Sequence, residues 1–269
     1  MKIIGVIPAR YQSSRFPGKP LADICGKPMI WWVYQEAKSV AEFADVIVAT
    51  ESEKVADVCR ELGIHVRLTS DSHPTGTDRV AEVAQSIDAD WYVIIMGDEP
   101  LLCAEDEKRL IDALTAAPDA DAAMLTERFV YPLDLINPTT IKLAINDQGY
   151  LIFMSRAAIP FPKEALDYNM YKNVGCYAMR KSALDFFLRT KPGCIEQAEG
   201  IELLRLLEHH KKVLTVPIES ESMSVDTPKD LERIRAAIRK KLEIGGGYNL
   251  SVTASFSGCR SLSQAKEAA

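Results

Sequence analysis

Trp91-Tyr92-Val93-Ile94-Ile95-Met96 is an unbroken apolar run rich in β-branched and aromatic residues. Such a run reads as a strand buried on both faces, which requires helices above and below a sheet. The chain supplies them. Residues 2–7 and 45–50 read as further strands and 65–69 as a short one. Helical patterns fall from Pro28 to about Val40, from Ser52 to Leu62, and from about Asp78 to Ile87. In the first helix Pro28 is expected in the first turn, with Met29, Ile30, Val33 and Ala37 along one face. This alternation predicts an α/β fold: a Rossmann-like, mostly parallel sheet with helices on both faces and ligands at the carboxyl ends of its strands.

After residue 120 the rhythm changes. Residues 122–126, 140–145, 150–154 and 174–179 read as strands, with Asn146-Asp147-Gln148-Gly149 as a hairpin turn. A helix over 198–210, a strand over 213–217 and a charged amphipathic helix over 228–243 follow. Residues 1–244 are therefore expected to form a single domain, with a β-rich insertion at about 120–180 that shares the main sheet. From Gly245 the composition turns Gly/Ser/Ala-rich without periodicity, and 245–269 is expected to be a flexible tail.

The 269 residues carry a net charge of -6 and are 47% hydrophobic, enough for a substantial core. An acidic balance argues against nucleic acid as a partner. No run approaches the length of a membrane span, and the opening residues show no signal-peptide pattern. The six cysteines are scattered without a CxxC pair, as in a reduced cytoplasmic protein.

Within this acidic chain, the strand ending at Ile7 empties into Pro8-Ala9-Arg10-Tyr11-Gln12-Ser13-Ser14-Arg15-Phe16-Pro17-Gly18-Lys19-Pro20. Three cations, Arg10, Arg15 and Lys19, sit in one turn-rich loop at a strand's carboxyl end. That is the place and the chemistry for a polyphosphate. The loop is neither a Walker A sequence nor a GxGxxG fingerprint, so a dehydrogenase reading has no support. Three further segments carry chemistry. Met96-Gly97-Asp98-Glu99-Pro100 closes the apolar strand; Gly97 permits close approach, and Asp98 emerges either as a carboxylate ligand for Mg²⁺ or as part of an ordinary acidic turn. In Val225-Asp226-Thr227-Pro228, Asp226 or Thr227 caps the next helix, and a metal role for Asp226 is compatible with that. In Pro74-Thr75-Gly76-Thr77-Asp78-Arg79, Thr77 is expected to cap a helix whose amides favour an anion, and Arg79 is placed either to contact a ligand or to lie exposed on the helix.

These motifs, in this order and spacing, resemble the CMP-Kdo synthetase family (3-deoxy-manno-octulosonate cytidylyltransferases). The resemblance runs from Ile4 to about Ile238. It is carried by IPARYQSSRFPGKPL with GKPMI, then SHPTGTDR, GDEP, Asn137-Pro138 with Lys142, SRAAIP from Ser155, EGIELLR from Glu199, and VDTPKDLER. It implies a fold of the nucleotide-diphospho-sugar transferase type. It also implies transfer of CMP from CTP to the anomeric hydroxyl of an acidic 2-keto-3-deoxy sugar, releasing pyrophosphate. By that analogy Pro8, Ala9, Arg10, Arg15, Lys19, Thr77 and Arg79 serve the nucleotide, and Asp98 and Asp226 hold Mg²⁺. Arg10, Lys19, Asp98 and Asp226 would carry the reaction, and Arg156 and Glu202 would line the sugar side. A homodimer is implied as well, with the β-rich insertion contributing to the contact.

The chain departs from the family on the acceptor side. Met96 stands where the family usually has Gln, and Asn173 where a His is common. The glutamine of the family's Glu-Gln-Leu-Arg segment is read onto Leu204. Lost hydrogen bonds of this kind cost roughly 0.5–1.5 kcal/mol each. Two acceptors therefore stand open: Kdo itself, or a different anionic acceptor such as a modified octulosonate, another sugar acid or a phosphonate. Two other readings are a nucleotidyltransferase for another base or a sugar phosphate, and a non-catalytic nucleotide-binding protein. Retention of Arg10, Lys19, Asp98 and Asp226 speaks against the last.

Overall fold

A computed structural model of the chain describes residues 1–12, 16–130, 132–164 and 169–244. Arg15 and the tail from 245 lie outside the described residues. Strand β1 (Ile3–Pro8) is buried along its whole length. A short hairpin, β2 (Asp23–Ile24) and β3 (Lys27–Pro28), leads to α1 (Met29–Ser39), then β4 (Asp45–Thr50), α2 (Glu53–Glu61), β5 (Val66–Leu68), α3 (Gly76–Ser86) and β6 (Trp91–Ile95). Next come α4 (Ala104–Ala116), β7 (Ala122–Arg128), β8 (Lys142–Ile145), β9 (Leu151–Ser155) and β10 (Tyr171–Arg180). The chain finishes with α5 (Lys181–Arg189), α6 (Cys194–Glu199), α7 (Leu204–Glu208), β11 (Val213–Ile218) and α8 (Pro228–Ile244).

The main sheet runs β11-β7-β10-β6-β1-β4-β5, with the β8–β9 hairpin attached through β8 to β10. The apolar strand β6 is thus central, as its composition requires. Its side chains alternate between two cores. Trp91, Val93 and Ile95 pack with Val33 of α1 and Leu110 of α4. Tyr92 and Ile94 pack with Val80 of α3 and Phe187 of α5. Each fully buried side chain of this size contributes about 1.5–3 kcal/mol.

Strand β1 is parallel to β4 and β6, β4 to β5, and β7 to β11. Only β10, among the strands of that path, runs antiparallel to its neighbours β6 and β7. The segments that follow β1, β4, β5, β6, β7 and β11 consequently emerge at one rim, where a parallel sheet places its ligands.

The Asn146–Gly149 turn forms as the sequence suggests. The Asn146 side-chain oxygen accepts from the amides of Gln148 (3.0 Å) and Tyr150 (2.8 Å). Two local expectations are corrected. Pro28 is not in the first turn of α1; it is the extended residue before it, paired with Asp23 in the small hairpin. The single helix expected over 198–210 is two, because Gly200 takes a left-handed conformation (φ 63°) that ends α6. That break redirects the chain so that Glu199 and Glu202 can each reach another element.

Helix α8 joins through a third apolar cluster, with Ile234 and Ile238 against Ile24, Met29, Trp32 and Val225. Among the described residues no helix is long and apolar enough to cross a membrane. Cys25, Cys59, Cys103, Cys176 and Cys194 are free thiols.

Candidate active site

The site begins where β1 ends. The amide of Ala9 donates to Ala49 O at 2.9 Å, holding the strand exit against β4. The loop then closes on itself, with Gly18 N donating to Tyr11 O at 2.8 Å, and a 3₁₀ turn over Lys19–Leu21 follows. Arg10, exposed at the rim, donates to His73 O at 2.6 Å.

Lys19 reaches inward. Its Nζ forms an ion pair with the carboxylate of Asp98 and donates to Val225 O at 2.9 Å. The amide of Val225 in turn donates to Asp98 O at 2.9 Å. One ammonium and one backbone bond therefore join the loop after β1, the end of β6 and the loop before α8. Asp226, the next residue, is brought to the Asp98 side of the rim. The helix cap is settled in favour of Thr227: its hydroxyl accepts from Asp230 N at 3.3 Å, and the Asp230 carboxylate accepts from Thr227 N at 2.9 Å.

Gly97 does permit a close approach, but by β1. A Cβ there would stand 3.1 Å from Pro8 O. Next to Asp98, Glu99 is buried, and its carboxyl accepts from Gly175 N at 3.2 Å through one oxygen only. Burial, reinforced by the charge of Asp98, pushes Glu99 up to about 8.

Helix α3 is capped by Thr75, not by Thr77 as the sequence suggests. The Thr75 hydroxyl accepts from Asp78 N at 3.2 Å, and the Asp78 carboxylate accepts from Thr75 N. Thr77, two residues later, is buried. Its amide donates to Glu202 at 3.1 Å and its hydroxyl bonds Tyr177 at 2.9 Å. Glu202 thus sits at the positive end of α3, a favourable place for a carboxylate.

Arg79 is not exposed; it is 1% accessible. Its guanidinium pairs with Glu51 at 3.1 Å and donates to Thr69 Oγ1 and to Ser70 O. Burial lowers its pKa, with Glu51 opposing and Arg10 assisting. Glu51 also accepts from Tyr11 N at 2.9 Å, so Arg79 and Glu51 brace the basic loop from below. Glu51 escaped the sequence analysis; the available signal was a lone acid immediately after an apolar strand.

On the other side, Met96 is half-buried. Its amide donates to Gly175 O at 2.7 Å, and its Sδ lies 4.0 Å from where a Cβ on Gly76 would stand. Asn173, also half-buried, opposes Thr126 at the start of the irregular stretch of β10. Arg156 is bound to the break after α6, donating through Nε to Glu199 O (2.7 Å) and through an NH to Pro138 O (3.0 Å). Lys142 is fully buried beneath it, with Nζ on the carbonyls of Asn137, Thr140 and Arg156 at 2.7, 2.9 and 2.6 Å. Leu204 is corrected as a wall of this region: it is wholly buried in the core. With Glu202 and Arg205 as fixed points, the family's glutamine falls instead on Leu203.

Residues 4–213 match the cytidylyltransferase family model. The 3-deoxy-manno-octulosonate cytidylyltransferase of Photobacterium profundum is 39% identical over 251 residues, spanning 88% of this chain and 100% of that protein. Its counterpart in Escherichia coli is 37% identical, over 90% of this chain and 98% of that one. A solved structure of CMP:2-keto-3-deoxy-manno-octonic acid synthetase complexed with CTP superposes with a TM-score of 0.86 at 37% identity, covering 90% of this chain and 100% of that one. The fold is that of the nucleotide-diphospho-sugar transferases. The chain belongs to the cytidylyltransferase family, as a relative of the 3-deoxy-manno-octulosonate cytidylyltransferases, and is an enzyme of that class.

Proposed function

We propose that this enzyme transfers CMP from CTP to the anomeric hydroxyl of Kdo, giving the CMP-sugar and pyrophosphate. The observation that carries the reading is the junction of Lys19, Asp98 and Val225, which joins a cationic loop and two carboxylate-bearing segments at one rim. Arg10 and Lys19 bind the triphosphate in this reading, and Arg15 with them from the same loop. Pro8, Ala9, Thr77 and the brace made by Arg79 and Glu51 shape the nucleotide side. Arg156, Glu202, Met96 and Asn173 face the acceptor, Arg156 as oriented by Glu199 and the buried Lys142.

Transfer at the α-phosphate needs an in-line hydroxyl, neutralised phosphate charge and a stabilised pyrophosphate leaving group. Positioning and electrostatics supply most of this. Asp98 and Asp226 are hard oxygen donors, and among the described residues no third acid, His or Cys completes an all-protein cage. Two carboxylates together with substrate phosphates are what Mg²⁺ takes, so the residues fit that ion. When bound, it would reduce repulsion between the two anionic substrates. The chain's own part is to hold the carboxylates in register through the Val225–Asp98 bond and to keep cations on the phosphates.

A second reading, an altered anionic acceptor, is favoured by Met96, whose thioether gives the acceptor side an apolar wall. Pyrophosphate release with CTP and a panel of acidic acceptors separates the two. Kdo as the best acceptor supports the first; a modified octulosonate, other sugar acid or phosphonate used more efficiently supports the second.

The protein acts in the cytoplasm as a homodimer in this reading. The support for the dimer is apolar exposure around the β8–β9 region: Val130, Leu133, Ile136 and Phe161 are 73%, 77%, 75% and 84% exposed.

A further inference from the structure

The loop between β11 and α8, residues 219–227, carries Asp226 and is tied down by acids that the reaction itself does not use. Ser220 Oγ donates to Asp106 at 2.5 Å. Ser222 donates twice to one oxygen of Glu127, through its amide at 3.0 Å and its hydroxyl at 2.9 Å. That same oxygen pairs with Lys172 Nζ at 3.1 Å, and Lys172 also reaches Ser222 O at 3.4 Å. Glu127 and Ser222 are both buried, at 7% and 9% exposure. Three residues on, Val225 is fixed to Asp98 and Lys19, and Thr227 starts the capping box of α8.

Glu127 belongs to the end of β7 that opens on the same rim as Asp98. It lies opposite Lys172 of β10 and Ile218 of β11 in the ladder. A charge at this position in a buried strand end is unfavourable unless it is paired and hydrogen-bonded. Here its carboxylate is held by Ser222 and by the lysine that also binds Ser222. A peptide segment held twice by a buried carboxylate has little freedom to swing, and such charge-assisted bonds are the strong ones.

We propose that Glu127, acting through Ser222, is a positioning residue that sets the reach of Asp226 toward Asp98. Lys172 completes the clamp by neutralising Glu127 and binding the Ser222 carbonyl. The clamp fixes the loop four residues before Asp226, and the Val225–Asp98 bond fixes it one residue before. Glu127 touches no reacting atom; its effect passes through the loop. This inference rests on the reading of Asp226 as a metal ligand.

The test uses the full chain with Ser222→Ala, Glu127→Ala, Glu127→Gln and, as a control, Asp226→Asn. Two quantities are read: amide hydrogen exchange of 221–226 in the ligand-free protein, and the Mg²⁺ concentration giving half-maximal turnover. Ser222→Ala and Glu127→Ala should speed exchange in 221–226 without changing that of 91–95. They should raise the half-maximal Mg²⁺ about 10-fold while kcat at saturating Mg²⁺ falls less than about 3-fold. Glu127→Gln, which keeps an acceptor for Ser222, should recover part of both effects. Ser222→Ala keeps the amide bond to Glu127, so unchanged exchange and Mg²⁺ dependence in Glu127→Ala as well as Ser222→Ala, beside a responsive Asp226→Asn, overturns the clamp alone. An Asp226→Asn variant with wild-type Mg²⁺ dependence overturns the metal reading and the clamp's purpose with it.

Discussion

The ammonium of Lys19 lies against the carboxylate of Asp98, 79 residues away in sequence, and the same nitrogen holds Val225 O. Both partners of the ion pair are more than four-fifths buried, at 17% and 19% side-chain exposure. A cation so placed compensates Asp98 in the ligand-free protein and anchors the basic loop to the strand that carries the carboxylate. The basic loop after β1 and the carboxylate-bearing end of β6 are therefore mechanically one.

Lys19→Ala should weaken both sides together. With the ammonium gone, Asp98 loses its partner and the loop over 16–22 loses its inward anchor. Turnover should fall by about 100-fold, the scale of removing one strong electrostatic stabiliser. KM for CTP should rise in parallel. Steady-state kinetics checks this, and a loss confined to stability with unchanged kinetics would contradict it.

Asp98→Asn and Asp226→Asn should each cut turnover by at least ~100-fold. Near-normal turnover of both variants at saturating Mg²⁺ would remove the metal assignment. Calorimetry of Mg²⁺-dependent CTP binding gives an independent reading of the same loss.

Stability should fall as pH rises through neutrality. Glu36 of α1 packs beneath α4, where its carboxylate accepts from Ala104 N at 3.3 Å. Burial pushes it up to about 7, with Lys241 and the Ala104 amide opposing and Glu105 and Asp106 assisting. Glu107, buried beside it with neither oxygen hydrogen-bonded, is raised as well. The folded protein holds these protons more tightly than the unfolded chain. The resulting stability is complete below the unfolded value near 4.5 and lost as pH passes about 7. For Glu36 the effect is on the order of 3 kcal/mol. Thermal unfolding between pH 5 and 9 should show Tm declining, and Glu36→Gln should flatten that decline.

Lys142→Met keeps the length of a buried side chain but removes its donors. Three carbonyls, those of Asn137, Thr140 and Arg156, would be left without that ammonium. Each unsatisfied group costs about 1–3 kcal/mol, offset in part because burying the ammonium was itself costly. A net loss of roughly 2–4 kcal/mol is expected in denaturant unfolding, with KM for the acceptor rising more than KM for CTP because Arg156 loses its support.

The sheet was legible because strands such as Trp91–Ile95 are buried on both faces, and a continuous apolar run admits few other structures. The hairpin at Asn146–Gly149 was legible because its chemistry is local, and so was the start of α8, although only the structure decides between Asp226 and Thr227 as its cap. What escaped were relationships set by tertiary contact. The sequence leaves Arg79 as a ligand contact or an exposed helical residue, with no sign that Glu51 and Thr69 arrive from other elements to bury it. Thr77 is expected from the sequence to cap α3, but it is recruited by Glu202 and Tyr177, 125 and 100 residues away, and the cap falls to Thr75. Glu127 and Lys172 carry no local signal at all, since their pairing depends on strand register.

The most direct test is pyrophosphate release with Kdo as acceptor, comparing CTP with ATP, GTP and UTP at matched concentrations in the presence of Mg²⁺. A strong preference for CTP, with release that requires Kdo and is lost in Asp98→Asn, is the predicted result. Equal use of another nucleotide, or no release from CTP with Kdo or any other acidic acceptor, would contradict the assignment of cytidylyl transfer to this site.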